Sequence, residues 1–251
     1  MAENVRVERQ GDIAVVTLCR PPANALDLDA TDAVAEIFAE LADDTAVGAV
    51  VLTGEGKAFC AGLDLKRVPH YGADDQDRLL DALNRAFYNV YRMPVPVVCA
   101  VNGHAIAGGM VLLLCTDKRI AADGDYMIGV TEVRVGIPYP LGGIEVCRAE
   151  LAPADFRNLV LFGQTIQPAQ AHKMGIFDEM VSTDRLLDTA MEQAEVLARL
   201  PRDGFMKIKN QMRRPVFAHM RAAVDDKADP LFGDWLSDET MEAAAAMLRG
   251  G

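Results

Sequence analysis

Several short, wholly apolar runs set the strongest limit on how this chain can fold. Gly48-Ala-Val-Val-Leu-Thr-Gly54 and Val97-Val-Cys-Ala-Val101 have no polar face. A strand of that kind needs cover on both sides, as in a parallel sheet with helices packed over it. The intervals between the runs supply helices. Ala30–Leu41 places Val34, Ile37, Phe38 and Leu41 at amphipathic spacing, and a second helix is predicted from Asp75 to Tyr91, ended by Pro94 and Pro96. Ahead of them, Val5 to Leu18 reads as a hairpin around a Gly11-Asp12 turn.

Further on, residues 102–109 form a glycine-containing loop. It leads into Met110-Val-Leu-Leu-Leu-Cys115, a stretch apolar all round that belongs in the middle of a fold. KRIAAD (118–123) and YMIGVT (126–131) read as two more short strands. From Gly143 the pattern turns helical over 143–163, 168–174, 184–200, 203–213 and 229–248, with one strand near Phe177–Val181. The expectation is an α/β chain with a core domain over 1–195 and a helical C-terminal region over 196–251.

Composition narrows the function classes. With 51% hydrophobic and 25% charged residues in 251, a sizeable core is available. The net charge of −12 lacks the positive footprint that a phosphate backbone requires, which argues against nucleic acid as a partner. No apolar run approaches the roughly 18–20 residues of a membrane span. The N-terminal MAENVRVERQ has neither a signal core nor a transit pattern. A soluble, cytoplasmic protein without a membrane partner is expected. The five cysteines are odd in number and widely spaced, and four have apolar neighbours, which predicts reduced, buried thiols. The four histidines show no metal-ligand spacing, so no metal site is expected.

Two loops share one design. Gly54–Leu65 and Asn102–Gly109 each leave the C-terminal end of a predicted strand, carry small residues and run toward a helix. Ligands in α/β sheets gather at such strand ends, and glycines let them approach main-chain N–H groups. Two amides converging on one oxygen would form an oxyanion hole. Tight turns kept small for packing fit the glycines equally well. Neither loop matches a dinucleotide or phosphate fingerprint.

KAFCAGLDL (57–65), VNGHAIAGG (101–109), CTDKRIAA (115–122), TEVRVGIPYPLGG (131–143) and PAQAHKMGIFDEMV (168–181), in that order, resemble the enoyl-CoA hydratase/isomerase (crotonase) superfamily. The likeness spans roughly residues 10–200. It implies a spiral of ββα units with a helical C-terminal region that covers the pocket or forms trimers. It also implies a homotrimer or dimer of trimers and an acyl-CoA thioester substrate whose coenzyme A is no separate cofactor. Carried onto this chain, the oxyanion amides are those of Leu63 and Gly108. Ala61, Asp64, Leu65 and Lys66 match the stretch that holds the adenine end of coenzyme A. Ala107 stands where many relatives have a third glycine, a methyl that removes no N–H.

The superfamily's hydratases carry two glutamates. The resemblance puts the first at Val111, which cannot transfer a proton, and the second at Glu132. A single carboxylate suffices to move a double bond, taking a proton from C2 and returning one at C4, and single-glutamate isomerases of this pattern occur in the superfamily. Met110, Val111 and Ile137 are expected to wall Glu132 from water and raise its pKa. An ion pair between Glu132 and Arg134 is the structural alternative. The expectation is a 3-enoyl-CoA to 2-enoyl-CoA isomerase. A one-glutamate hydratase and a non-catalytic acyl-CoA binder are the alternatives. His104 is expected to be a packed or loop histidine and not a base, Cys60 to pack rather than react, Trp235 to sit in the core, and Met206, Met212 and Met220 to fill space.

Overall fold

The computed structural model describes residues 4–237, 239–240, 242–244 and 246. Its strands are β1 (Val5–Gln10), β2 (Ile13–Leu18), β3 (Ala49–Gly54), β4 (Ala58–Cys60), β5 (Val97–Val101), β6 (His104–Ile106), β7 (Lys118–Ala122), β8 (Ile128–Gly129), β9 (Thr165–Ile166) and β10 (Glu179–Val181). Gly11, at φ 63°, turns β1 back onto β2 as the sequence predicts, pairing Gln10 with Ile13. The main sheet then runs β1-β2-β3-β5-β7-β10, parallel from β2 onward.

Alternation explains why these runs read as apolar on both faces. Ala14, Val16, Val50, Leu52, Val97 and Cys99 enter the large core on one side of the sheet. Ile13, Val15, Ala49, Val51, Val98 and Ala100 face the other side, with Leu186, Ala190 and Ala194 of the helix Leu186–Ala198. Side chains of successive strand residues point to opposite faces, so both sets must be apolar.

The helices are α1 (Leu28–Asp43), α2 (Ala73–Tyr91), α3 (Gly108–Leu114), α4 (Leu141–Glu150), α5 (Pro153–Phe156), α6 (Pro168–Lys173), α7 (Leu186–Ala198) and α8 (Arg202–Asp225). Asp27 caps α1 by accepting from the Ala30 N–H at 2.9 Å. Every residue of α3 is buried, as its lack of a polar face requires. No described helix is long and apolar enough to cross a membrane.

The C-terminal third corrects the sequence reading at three places. The predicted helix 143–163 is interrupted: α4 ends at Glu150, Leu151 is extended, and α5 passes into a π-turn at Arg157–Leu161. The helix expected to stop at 213 continues through Pro215 to Asp225. Residues 226–237 form turns rather than the start of a helix over 229–248, while described residues between 239 and 246 are helical; positions 247 and 248 lie outside the described residues. The expected boundary after residue 195 falls within α7, which covers β2, β3, β5 and β7.

A second, smaller sheet, β4-β6-β8-β9, stands apart from the first. β4, β6 and β8 are parallel neighbours, and β9 closes the edge antiparallel. This sheet positions the site.

Candidate active site

Three parallel strand ends deliver three groups to one edge. Leu63 lies three residues past the end of β4, Gly108 two past β6, and Glu132 three past β8. The registers Cys60 with Ala105 and Ala105 with Ile128 hold these exits side by side. Loops beyond the carboxyl ends of adjacent parallel strands are where α/β sheets bind ligands.

The first two loops touch. A Cβ built on Gly62, which sits at φ 77°, would lie 3.1 Å from the Gly108 nitrogen and 2.6 Å from the Ala107 Cβ. One built on Gly109 would fall 2.1 Å from the Cys60 carbonyl oxygen, so this contact admits only glycine. The chain is further pinned by a parallel bridge: Leu26 N–H donates to Gly62 O at 2.7 Å, and Asp64 N–H to Leu26 O at 2.8 Å. That bridge uses the groups on either side of Leu63 and leaves its own N–H without a main-chain acceptor among the described residues. The Gly108 N–H opens α3, where the first-turn donors have no intrahelical partner, and no loop or cap hydrogen bond takes it up.

Ala107 has a conformational cost. It adopts φ 54°, ψ −130°, a region that suits glycine, while its N–H donates to Gly129 O at 2.8 Å. The substitution relative to a triple-glycine loop therefore does more than add a methyl.

Glu132 opens a short 3₁₀ turn, Glu132–Val135, closed by Gly136 at φ 65° and by the Ile137 N–H donating to Glu132 O at 3.1 Å. Its residue is 7% exposed, and Oε2 is buried with no hydrogen-bond partner. Burial pushes the carboxyl up to about 7, opposed by smaller contributions that favour its ionised form from its own main chain, the nearby Tyr139 hydroxyl and Thr131. The direction agrees with the expected apolar wall, although Tyr139 and Cys147 are the polar side chains that interact with it. Arg134 is exposed and lies against Gly163. The ion-pair alternative for Glu132 is not what the structure contains. Val111 is buried in α3 and contributes no titratable group.

The C-terminal segment covers the Glu132 turn. Trp235, buried as expected, donates through Nε1 to Pro138 O at 2.9 Å, and the Thr240 hydroxyl donates to Gly136 O at 2.9 Å. An apolar groove of about 540 Å³ opens beside the turn, lined by Val133, Ile137, Tyr139, Ile144, Val160 and Leu161 among others.

The residues matched to the coenzyme A stretch lie on the turn after β4. Ala61 N–H donates to Ala23 O at 2.9 Å, Leu65 packs against the core, and Lys66 is exposed. Asp64 is committed locally: one oxygen meets Arg20 at 3.2 Å and the other accepts the Lys66 N–H at 3.1 Å. Arg20 also pairs with buried Asp27 at 2.9 Å. Asn24, at φ 49°, donates through Nδ2 to the carbonyls of Glu55 and Ala58. Sequence reasoning passed over Arg20, Asn24 and Asp27, although Pro21-Pro22-Ala-Asn24 is a visible turn signal. Of the residues set aside, Cys60 is fully buried and its thiol is pushed up to about 12, and His104 is exposed, its Nδ1 accepting the Met127 N–H at 3.1 Å. Met220 is buried, whereas Met212 is 77% exposed and fills no core.

Comparison with known proteins agrees with this fold. Residues 8–247 match the family model described as enoyl-CoA hydratase/isomerase. A putative enoyl-CoA hydratase of Thermus thermophilus is 36% identical over 199 residues, covering 78% of each chain. The apo structure of an enoyl-CoA isomerase from Mycobacterium tuberculosis superposes with a TM-score of 0.82 at 30% identity, covering 91% of this chain and 99% of that one. Human mitochondrial delta3-delta2-enoyl-CoA isomerase gives a TM-score of 0.90 at 25% identity, covering 99% and 98%. With a crotonase fold and a family match over nearly its whole length, the chain belongs to the enoyl-CoA hydratase/isomerase family.

Proposed function

We propose that this enzyme shifts the double bond of a 3-enoyl-CoA thioester into conjugation, giving the 2-enoyl-CoA. The observation that carries the reading is a buried carboxylate, Glu132, with one oxygen unpartnered and with Val111 at the position where two-glutamate relatives hold their other acid. The carboxylate of Glu132 removes a proton from C2. The electron pair moves onto the thioester oxygen, where the free N–H groups of Leu63 and Gly108 receive the charge. The resulting dienolate takes a proton from Glu132 at C4, the C3–C4 double bond becomes C2–C3, and the carboxylate is restored. A carboxyl near neutrality exchanges that proton in both directions at physiological pH.

Ala61, Leu65 and Lys66, on the turn after β4, are the proposed contacts of the coenzyme A moiety. Asp64 is proposed to shape that turn through Arg20. The helical region from 196 onward is proposed to form the pocket cover and the contacts of a homotrimer, in a cytoplasmic enzyme. Light scattering that reports a monomer at working concentration refutes the trimer.

Conjugation raises ultraviolet absorbance and hydration lowers it, so 3-enoyl-CoA and 2-enoyl-CoA esters offered separately distinguish the activities. Glu132→Gln is expected to lose roughly three or more orders of magnitude in turnover while retaining acyl-CoA binding. A near-normal rate in that variant overturns the assignment. The hydratase names among the relatives support a second reading, one-glutamate hydration, which predicts loss of absorbance from 2-enoyl-CoA. Tight acyl-CoA binding without exchange of the α-proton into heavy water would instead identify a non-catalytic binder.

A further inference from the structure

We propose that Tyr139 is a positioning residue for Glu132, its hydroxyl moving from the Val160 carbonyl to the free Oε2 of Glu132 when that carboxyl loses its proton. The proposal rests on the reading of Glu132 as proton shuttle and adds Tyr139 of the 131–143 stretch, which carries no role in the sequence reading.

Three observations support it. Glu132 Oε2 is buried without a partner, a state tolerable for a neutral carboxylic acid and costly for a carboxylate. The Tyr139 hydroxyl donates to Val160 O at 3.3 Å, beyond the usual 2.5–3.0 Å of a hydroxyl–oxygen hydrogen bond. Glu132 and Tyr139 flank the turn pinned by Ile137 N–H and Gly136, so the two side chains move on one short, constrained piece of backbone.

The acceptor that the hydroxyl would leave is unusual too. Val160 lies in the π-turn Arg157–Leu161, an irregularity frequent at functional sites. Tyr139 and Val160 both line the apolar groove. Its mostly apolar wall offers the ionised carboxyl few alternative hydrogen-bond partners. The titratable groups facing this pair are few. Cys147 of α4 is buried, and its thiol is pushed upward by burial first and then by the neighbouring carboxylate, so it stays neutral. Arg157 lines the same groove, and Arg134 is turned away beside Gly163. Tyr139 remains protonated because burial and the adjacent carboxylate both raise its pKa. It can therefore donate throughout the pH range in which Glu132 titrates.

The test uses the full chain and two readouts. Tyr139→Phe keeps the ring and removes only the hydroxyl. The Glu132 carboxyl, followed by carbon-13 chemical shift and assigned with Glu132→Gln, is expected to titrate about half to one pH unit higher in Tyr139→Phe. The acidic limb of kcat/KM should move with it, with KM changed less than about threefold. An unmoved carboxyl titration overturns the proposal. If the carboxyl shifts but the pH–rate limb does not follow, Tyr139 still positions Glu132, and the shuttle role of Glu132 is what fails. A measurement on the unaltered protein guards against misfolding of the variant. The Val160 carbonyl carbon, read through the Leu161 amide, should shift in step with Glu132 titration and stay constant in Glu132→Gln. A carbonyl that does not respond refutes the exchange of partners.

Discussion

Asn84 of α2 donates through Nδ2 to Asp229 Oδ2 at 2.8 Å, although 145 residues separate the two in sequence. The same carboxylate oxygen accepts the Leu141 N–H at 2.7 Å, and Asn84 Oδ1 accepts the Gly142 N–H at 2.9 Å. The pair thus holds the first two amides of α4 and ties the C-terminal segment to the helix that follows the Glu132 turn. Asp229→Ala leaves the part-buried Leu141 amide and the buried Asn84 donor unpaired. It is expected to cost about 2–4 kcal/mol, read as a lower denaturant midpoint. A midpoint unchanged within error contradicts this account.

Glu132 makes stability depend on pH in a definite direction. Its folded pKa of about 7 lies above the ordinary 4.5, so between those values the folded state binds more protons than the unfolded. Its contribution is therefore full below about 4.5 and is lost as pH rises through 7. Glu132→Gln removes the penalty, and at pH 8 it should be the more stable protein, by about 3 kcal/mol at most. The advantage should shrink toward pH 5. Thermal melts at both pH values decide the matter, and a variant less stable at pH 8 refutes the burial argument.

Ala107 pays for its methyl in backbone strain. At φ 54° and ψ −130° the strain is on the order of 1–3 kcal/mol, partly offset by the lower unfolded-state entropy of alanine. Ala107→Gly should raise stability by about 1 kcal/mol, seen as a higher Tm. A lower Tm would show that the position is not strained.

Gly109→Ala should act in the opposite sense. The new Cβ would meet the main-chain oxygen of Cys60 at 2.1 Å, and backbone cannot step aside as a side chain can. A loss of more than about 3 kcal/mol is expected, measured by chemical denaturation. Normal stability would mean that the β4 and β6 loops are not in contact.

The main sheet was legible because its signals are local. The Gly11 turn and the all-apolar runs of β3 and β5 state their structure within a few residues. The small sheet was not, since β4 and β6 span three residues each and β8 and β9 two, too short for any period to show. The helix expected over 203–213 runs on through Pro215 to Asp225 for a different reason. Pro215 is exposed, and so is Gln211, whose carbonyl loses its helical donor to proline; water can take that carbonyl. Lys209 holds Asp117 at 2.7 Å before the proline, and Val216, Met220 and Ala223 are buried after it, so the helix is anchored on both sides. At the site, Glu132 and the two glycine-bearing loops were readable from motif order. Tyr139 stands in the same 131–143 stretch, yet its relation to Glu132 was not readable because it depends on how the turn between them folds, and the Asn84–Asp229 link had no local trace at all.

The exits of β4, β6 and β8 carry every group assigned to the reaction, while the six-stranded sheet that dominates the interior carries none. Chemistry and architecture are thereby written in separate stretches of chain. A lineage can exchange one proton-handling side chain at the end of a two- or three-residue strand without solving the folding problem again.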